Sequence, residues 1–393
     1  MKIAFVLTAK YPTEKAYGVT TRKTVEALQK QGHEVSVISV KSTYQDTDYE
    51  KSEVRLISIG ENCFSVQVRK RFLNNTKILN RIAFKVVTNL YLRRVSKVIL
   101  KENFDIIWTR ESFTIFGLRK VCRDRRNVLE LHSLPRYKIT KKIIRYFENS
   151  IVFAPINSSI KLEFDSFGFV ANSLIAPMSI DEKLVATAEE LQDYIQRVQM
   201  KAESGELIVG YVGKFRPNGY SKGVEDVLNV ARYAQKCGIP GKFMLVGGLT
   251  SEINQITSNR EYNLPNLEIV GHVNHSKAIE FMKLIDIHVI PEPESEIYFG
   301  TPLKLREIMA LGRIIVAADC LLLRNFFSNE YQPIWYEAKN EESLLKAIKA
   351  LDDPNTLKSN LILGISEVSD FTWHHRSLRV VNYLDGLRKN LSA

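Results

Sequence analysis

Short apolar runs alternate with stretches of helical periodicity along the whole chain. In the first half, Lys2–Thr8, Glu34–Val40, Phe104–Thr109, Val128–His132 and Ile151–Ile156 read as strands. Between the first two, Thr21–Gln31 turns Val25 and Leu28 to one face, and Gly32 stands where a helix ends. The second half repeats the scheme with Leu207–Val212, Lys242–Val246, Leu267–Val270, Ile285–Ile290 and Ile314–Ala317. Val224–Lys236 gathers Val224, Val227, Leu228 and Ala231 on one helical face before Gly238. Strands alternating with helices specify a parallel, doubly wound sheet, here twice over. The polar, helix-prone stretch Asp181–Ser204 marks the junction, so residues 1–180 and 181–372 form two Rossmann-like domains. Two open sheets of this kind place a binding site in a cleft between them, at the carboxyl ends of the strands.

Length agrees, because 393 residues exceed one ordinary core and fit two α/β domains. No run approaches the roughly 20 apolar residues that span a bilayer, and Met1–Thr8 is too short for a signal peptide. Cys63, Cys122, Cys237 and Cys320 are far apart with no CxxC pair. Free thiols in a reducing cytosol fit that spacing better than a disulfide framework or a zinc site. The expectation is a cytoplasmic protein.

Charge changes this picture in one place. The formal charge is +11, and residues 62–101 hold ten basic side chains and no acidic one. They are Arg69, Lys70, Arg71, Lys77, Arg81, Lys85, Arg93, Arg94, Lys97 and Lys101. Leu79, Ile82, Phe84, Val86, Val87, Leu90 and Leu92 are interleaved at helical spacing. Such a segment fits the anionic face of a membrane or a phosphate-bearing acceptor, making the protein peripheral on that face. A solvated helix face packed on the sheet is the alternative. Nucleic acid is not expected, since no recognition motif accompanies the charge.

The strongest local chemistry lies in Pro291–Gly312, PEPESEIYFGTPLKLREIMALG. Gly300 permits a tight turn, Thr301 is suited to an N-cap and Pro302 to the first helical position. Leu303, Leu305, Ile308 and Met309 form the buried side. Free N–H groups and a positive dipole at such a helix start favour a diphosphate. Lys304 adds a cation beside it, and Glu307, one turn on, offers a carboxylate to ribose hydroxyls. A second loop, Gly213–Val224, puts Lys214 and Lys222 on either side of a Gly/Pro/Asn turn at a strand end. Fixed cations there suit the negative charge of a departing diphosphate. The GxGxxG fingerprint is absent, which argues against a nicotinamide enzyme. Asp46-Thr47-Asp48 is a DxD in a polar stretch and reads as a surface loop.

The run Pro302-x-Lys304-x-x-Glu307-x-Met309-Ala310-x-Gly312 resembles the nucleotide-sugar helix of family-4-type retaining glycosyltransferases, glycosyl transferases group 1. The resemblance implies a GT-B fold and retention of configuration. In it Glu307 binds the ribose and the Gly300–Lys304 turn holds the diphosphate. The family's first Glu would stand at Phe299, so Glu296 or Glu294 takes its contact with the donor sugar. Gly213-Lys214 and Lys222-Gly223 resemble the family's Gly-Arg and Lys-Gly pair. His132 matches a histidine facing the sugar, and Gly18 a glycine turn near phosphate and acceptor. Phe243–Gly248 resembles the next strand and its glycine turn, and Asn266–Val273, with Val270, the segment whose backbone reads the base. Phe371-Thr372-Trp373 opens a helix, 373–393, that crosses back onto the first domain in the family. The implied reaction takes a sugar from a UDP- or GDP-linked donor to a glycan or lipid-linked acceptor, in polysaccharide or glycoconjugate biosynthesis, without metal or cofactor. A sugar-nucleotide epimerase of the same fold, or a non-catalytic glycan- or nucleotide-binding subunit, shares these features.

Overall fold

The computed structural model describes all residues except 14, 44–53, 60–76, 135, 148–149, 169–171, 217–218, 292–302, 329, 352 and 392–393. The side chains of 16, 77–85 and 388–391 are not described either. Two compact units divide the chain: one holds Met1–Met178 and Trp373–Ala393, the other Ser179–Tyr298 and Pro302–Thr372.

In the first unit the apolar runs become β1 (Lys2–Tyr11), β2 (Glu34–Lys41), β4 (Ile106–Thr109), β5 (Arg126–Leu131) and β6 (Ile151–Pro155). A further strand, β3 (Arg55–Ile59), adds an edge. The order is β3-β2-β1-β4-β5-β6, with parallel pairing such as Ile3 opposite both Val35 and Ile106. Ile3–Leu7 is buried because helices cover both faces of a parallel sheet. Phe5 and Trp108 stack with centroids 6.1 Å apart. The helix Trp373–Leu391 adds Val380, Val381 and Leu384 to the core formed by Phe5, Val25 and Leu28. Each such side chain contributes roughly 1.5–3 kcal/mol when buried, which anchors the chain's last helix in this unit.

The second unit contains β7 (Ile208–Val212), β8 (Lys242–Gly248), β9 (Leu267–Gly271), β10 (Ile287–Ile290), β11 (Ile314–Ala318) and β12 (Ile334–Tyr336). Its order, β12-β11-β10-β7-β8-β9, is the same permutation as the first sheet. The stretch read as a junction folds as the helix Ala188–Ser204, opened by a Thr187/Glu190 capping box and closed by Gly205 at φ 73°. It buries Leu191, Tyr194, Ile195 and Val198 on the second sheet's core.

Three local readings are corrected. Among the described residues each sheet has six strands, not five, because β3 and β12 are short edge strands with little apolar alternation. β1 runs on to Tyr11, and the following helix starts at Ala16, not Thr21. Gly18 therefore sits in the first turn of that helix and not in a turn before it.

Strand order reverses between β1 and β4, and again between β7 and β10. Chain leaving neighbouring strands there diverges and opens a crevice at the carboxyl edge of each sheet. Residues 213–223 follow β7, and Arg110 and Glu111 follow β4.

Candidate functional site

In the second unit β7 delivers the chain to Gly213, whose N–H donates to the Val246 carbonyl at 2.8 Å. Gly213 has φ 149° and Gly247 φ 119°, and a Cβ on Gly247 would lie 2.6 Å from the Gly213 carbonyl oxygen. Two strand ends approach here as bare backbone, which only glycine allows. Tyr211 donates its O–H to the Lys214 carbonyl at 3.0 Å, and the Lys222 N–H donates to the Phe215 carbonyl at 2.8 Å. These bonds fold the loop back toward its own strand end.

Lys304, in the first turn of the helix Leu303–Ala310, brings its Nζ 3.7 Å from the centre of the Tyr211 ring. A Cβ on Gly213 would stand 2.9 Å from that same Nζ, so the missing side chain admits the ammonium. Burial, and then the charge of Lys222, push Lys304 well below the ordinary lysine range. Burial pushes Lys222 down to about 8. Two ammonium groups disfavoured by burial and by each other are both relieved by a bound anion. Lys214 is exposed.

Glu307, one turn past Lys304, is buried at 4% exposure, with Oε1 2.7 Å from His275 Nε2. His275 opens the helix His275–Leu284, which Asn274 caps by accepting from the Lys277 N–H at 2.9 Å. His275 went unnoticed in the sequence; an Asn-His pair after an apolar strand is the signal that marks it. Val270 is half-buried on β9, opposite Val246 of β8. Glu294, Glu296, Phe299, Gly300, Thr301 and Pro302 lie outside the described residues, as do Asp46 and Asp48.

In the first unit His132 follows β5 directly. Its Nδ1 lies 2.9 Å from an Arg110 Nη, and its Nε2 3.1 Å from Glu130 Oε2. Arg110 also donates to Thr20 Oγ1 at 3.1 Å, which ties the loop after β4 to the helix after β1. Glu130 Oε1 accepts from Trp108 Nε1 at 2.9 Å and from Arg376 Nη2 at 2.7 Å. Burial alone would raise the Glu130 carboxyl, but Arg376, His132 and Arg110 together hold it far below the usual carboxylate range. Burial lowers His132, and the Glu130 hydrogen bond only partly offsets this. Sequence reasoning singled out His132 and missed Arg110, Glu130 and Arg376, which are ordinary charges until the fold gathers them.

Gly18 is buried, and a Cβ there would lie 2.2 Å from the Thr13 carbonyl oxygen. Its missing side chain lets Thr13 lie against the helix start.

Residues 206–353, which carry the Gly213–Lys222 loop, His275, Lys304 and Glu307, match the model of glycosyl transferases group 1. The fold is GT-B: a glycosyltransferase from Rickettsia africae superposes with TM-score 0.68 over 99% of both chains, at 14% identity. The Anabaena HepE complex with UDP-glucose gives 0.61 at 14% identity, over 100% of this chain and 99% of that one. Sucrose-phosphate synthase from Thermosynechococcus elongatus gives 0.66 at 19% identity over 99% of both. Among curated proteins, N,N'-diacetylbacillosaminyl-diphospho-undecaprenol alpha-1,3-N-acetylgalactosaminyltransferase of Campylobacter jejuni is 30% identical over 120 residues. The match spans 30% of this chain and 30% of that relative.

Proposed function

We propose that this protein transfers a sugar, with retention, from a nucleotide-sugar donor to a lipid-linked or glycan acceptor. The observation that carries the reading is the convergence of Lys222, Lys304 and the Gly213–Gly247 backbone at the β7/β10 reversal, one helical turn from Glu307. In this reading the lysines neutralise the diphosphate and Glu307 accepts from the ribose hydroxyls. The bond from the sugar's anomeric carbon to the phosphate oxygen breaks, and the acceptor oxygen bonds to that carbon on the same face. Its proton passes to a phosphate oxygen. Charge on the leaving group is met by side chains and helix N–H groups, so no metal or cofactor enters the proposal. His132 and Glu296 are assigned to the donor sugar by the family resemblance.

UDP is the first donor base to test, since the HepE structure holds UDP-glucose. A lipid-linked acceptor is the first acceptor class, since the Campylobacter relative is named for one. Delivery of that acceptor from an anionic membrane face accords with exposed cations on two helices of the first unit, Arg93, Arg94 and Lys97 on Lys77–Glu102 and Lys138, Lys142 and Arg145 on Tyr137–Phe147. Lys142 lines a cleft of about 380 Å³ together with Leu92, Phe113, Phe116 and Ile139. Among the described residues no helix is long and apolar enough to cross a membrane.

The test is thermal-shift binding with UDP-, GDP- and ADP-sugars, comparing wild type with Glu307→Ala. Stabilisation by one nucleotide class, lost in the variant, supports the donor site and names the base. No shift with any of them overturns it.

A further inference from the structure

The first unit contains a largely buried chain of charges of which the sequence motifs mark His132 alone: Arg110, His132, Glu130 and Arg376 in order. Its hydrogen-bond directions are decided by chemistry. A guanidinium has no acceptor, so the nitrogen that meets Arg110, Nδ1, carries a lone pair. An ionised carboxylate has no donor, so the nitrogen that meets Glu130, Nε2, carries the proton. Arg110 and an ionised Glu130 therefore select the same tautomer. A protonated Glu130 would set a donor against each ring nitrogen, so one of the two bonds would break and the Nε2–H form would lose its support.

Arg376 is the foremost of the groups that keep Glu130 ionised, ahead of His132 and Arg110. Its side chain is 1% exposed and pairs with Glu130 Oε1 at 2.7 Å. The rest of its guanidinium is held by the Ala176 carbonyl at 3.3 Å and Thr24 Oγ1 at 3.4 Å. Trp108 Nε1–H occupies the same carboxylate oxygen, so no solvent is needed to satisfy it. A cation held by three elements and locked onto a buried carboxylate is built to fix that carboxylate, not to bind ligand itself.

We infer that Arg376, on the helix Trp373–Leu391, is a positioning residue that acts through Glu130 to present His132 Nδ1 as a hydrogen-bond acceptor. The inference rests on the reading of His132 as a sugar contact. Its consequence is specific: a sugar hydroxyl donates to Nδ1 in place of Arg110, and the freed Arg110 N–H turns to an oxygen of the substrate. The C-terminal helix thereby contributes to transfer and not only to the core.

The test is nitrogen NMR of the full chain labelled with ¹⁵N-histidine, with His132 assigned from the spectrum of His132→Gln. Wild type should show a neutral His132 protonated on Nε2. Arg376→Met, which keeps the length and removes the charge, should shift that signal toward the Nδ1–H form or a mixture. Its kcat should fall about tenfold or more with little change in the acceptor KM, and Arg376→Lys should restore both. If Arg376→Met does not fold, Glu130→Gln is read in the same way. An unchanged His132 signal in either folded variant overturns the inference. The spectrum needs no substrate, so it is independent of the sugar contact. Normal transfer by His132→Ala would remove that contact and leave the positioning result standing.

Discussion

His275 Nε2 lies 2.7 Å from Glu307 Oε1, joining the helix that follows β9 to the helix that follows β10. The carboxylate assigned to the ribose is therefore already aimed before nucleotide arrives. A preoriented acceptor lowers the ordering cost of binding. His275→Ala should weaken UDP binding about tenfold in calorimetry. Losing the partner of a buried carboxylate should also cost roughly 1–3 kcal/mol of stability. A lowered Tm with unchanged nucleotide affinity would make the pair purely structural.

Lys222 offers a pH signature. Its folded pKa of about 8 lies below the unfolded lysine value of 10.5, so burial penalises the charged form. The sign follows: the penalty is complete below pH 8 and relieved as pH rises toward 10.5. Diphosphate binding needs the charged form and runs the other way. UDP affinity should fall by up to about tenfold per pH unit above pH 8. Lys222→Arg should flatten that fall, because a guanidinium stays charged. Lys222→Ala should cost about a hundredfold in turnover, on the order of 3 kcal/mol. Turnover near wild type in that variant would remove Lys222 from the site.

Asp286 provides a contrast. It is fully buried just before β10, and its Oδ2 takes Lys201 Nζ at 2.8 Å and the Ile208 N–H at 2.9 Å. Breaking a buried pair by removing one member typically costs about 3–5 kcal/mol. Asp286→Ala should lose that much stability in urea, while the protein that remains folded binds UDP normally. A selective loss of binding without loss of stability would place Asp286 in the chemistry.

The exposed cations of the first unit make a prediction dependent on salt. Lys138→Glu/Lys142→Glu should reduce sedimentation with vesicles containing phosphatidylglycerol several-fold at low ionic strength. Wild-type binding should weaken between 0.05 and 0.5 M salt, as the screening length falls to a few ångströms. Equal sedimentation with neutral vesicles would exclude charge as the cause.

The periodicity of the chain was enough to determine the class of fold, because buried parallel strands must be apolar and their connecting helices amphipathic. Local motifs singled out Lys222, Lys304 and Glu307, the residues proposed for diphosphate and ribose, since the chemistry of a loop and a helix start is written in nearby residues. Two edge strands escaped the periodicity: β3 and β12 are short, and an edge needs less apolar surface. His275, Arg110, Glu130 and Arg376 escaped it for another reason. Arg376 stands 246 residues from Glu130, and His275 32 from Glu307. No spacing rule links such positions, and each charge alone looks like a solvated surface group. Only packing withdraws them from water, and a buried charge is stable only beside its partner. Sequence determined which strand ends and which helix start are proposed to meet phosphate; tertiary structure decided which distant charges pack against the side chains assigned to the site.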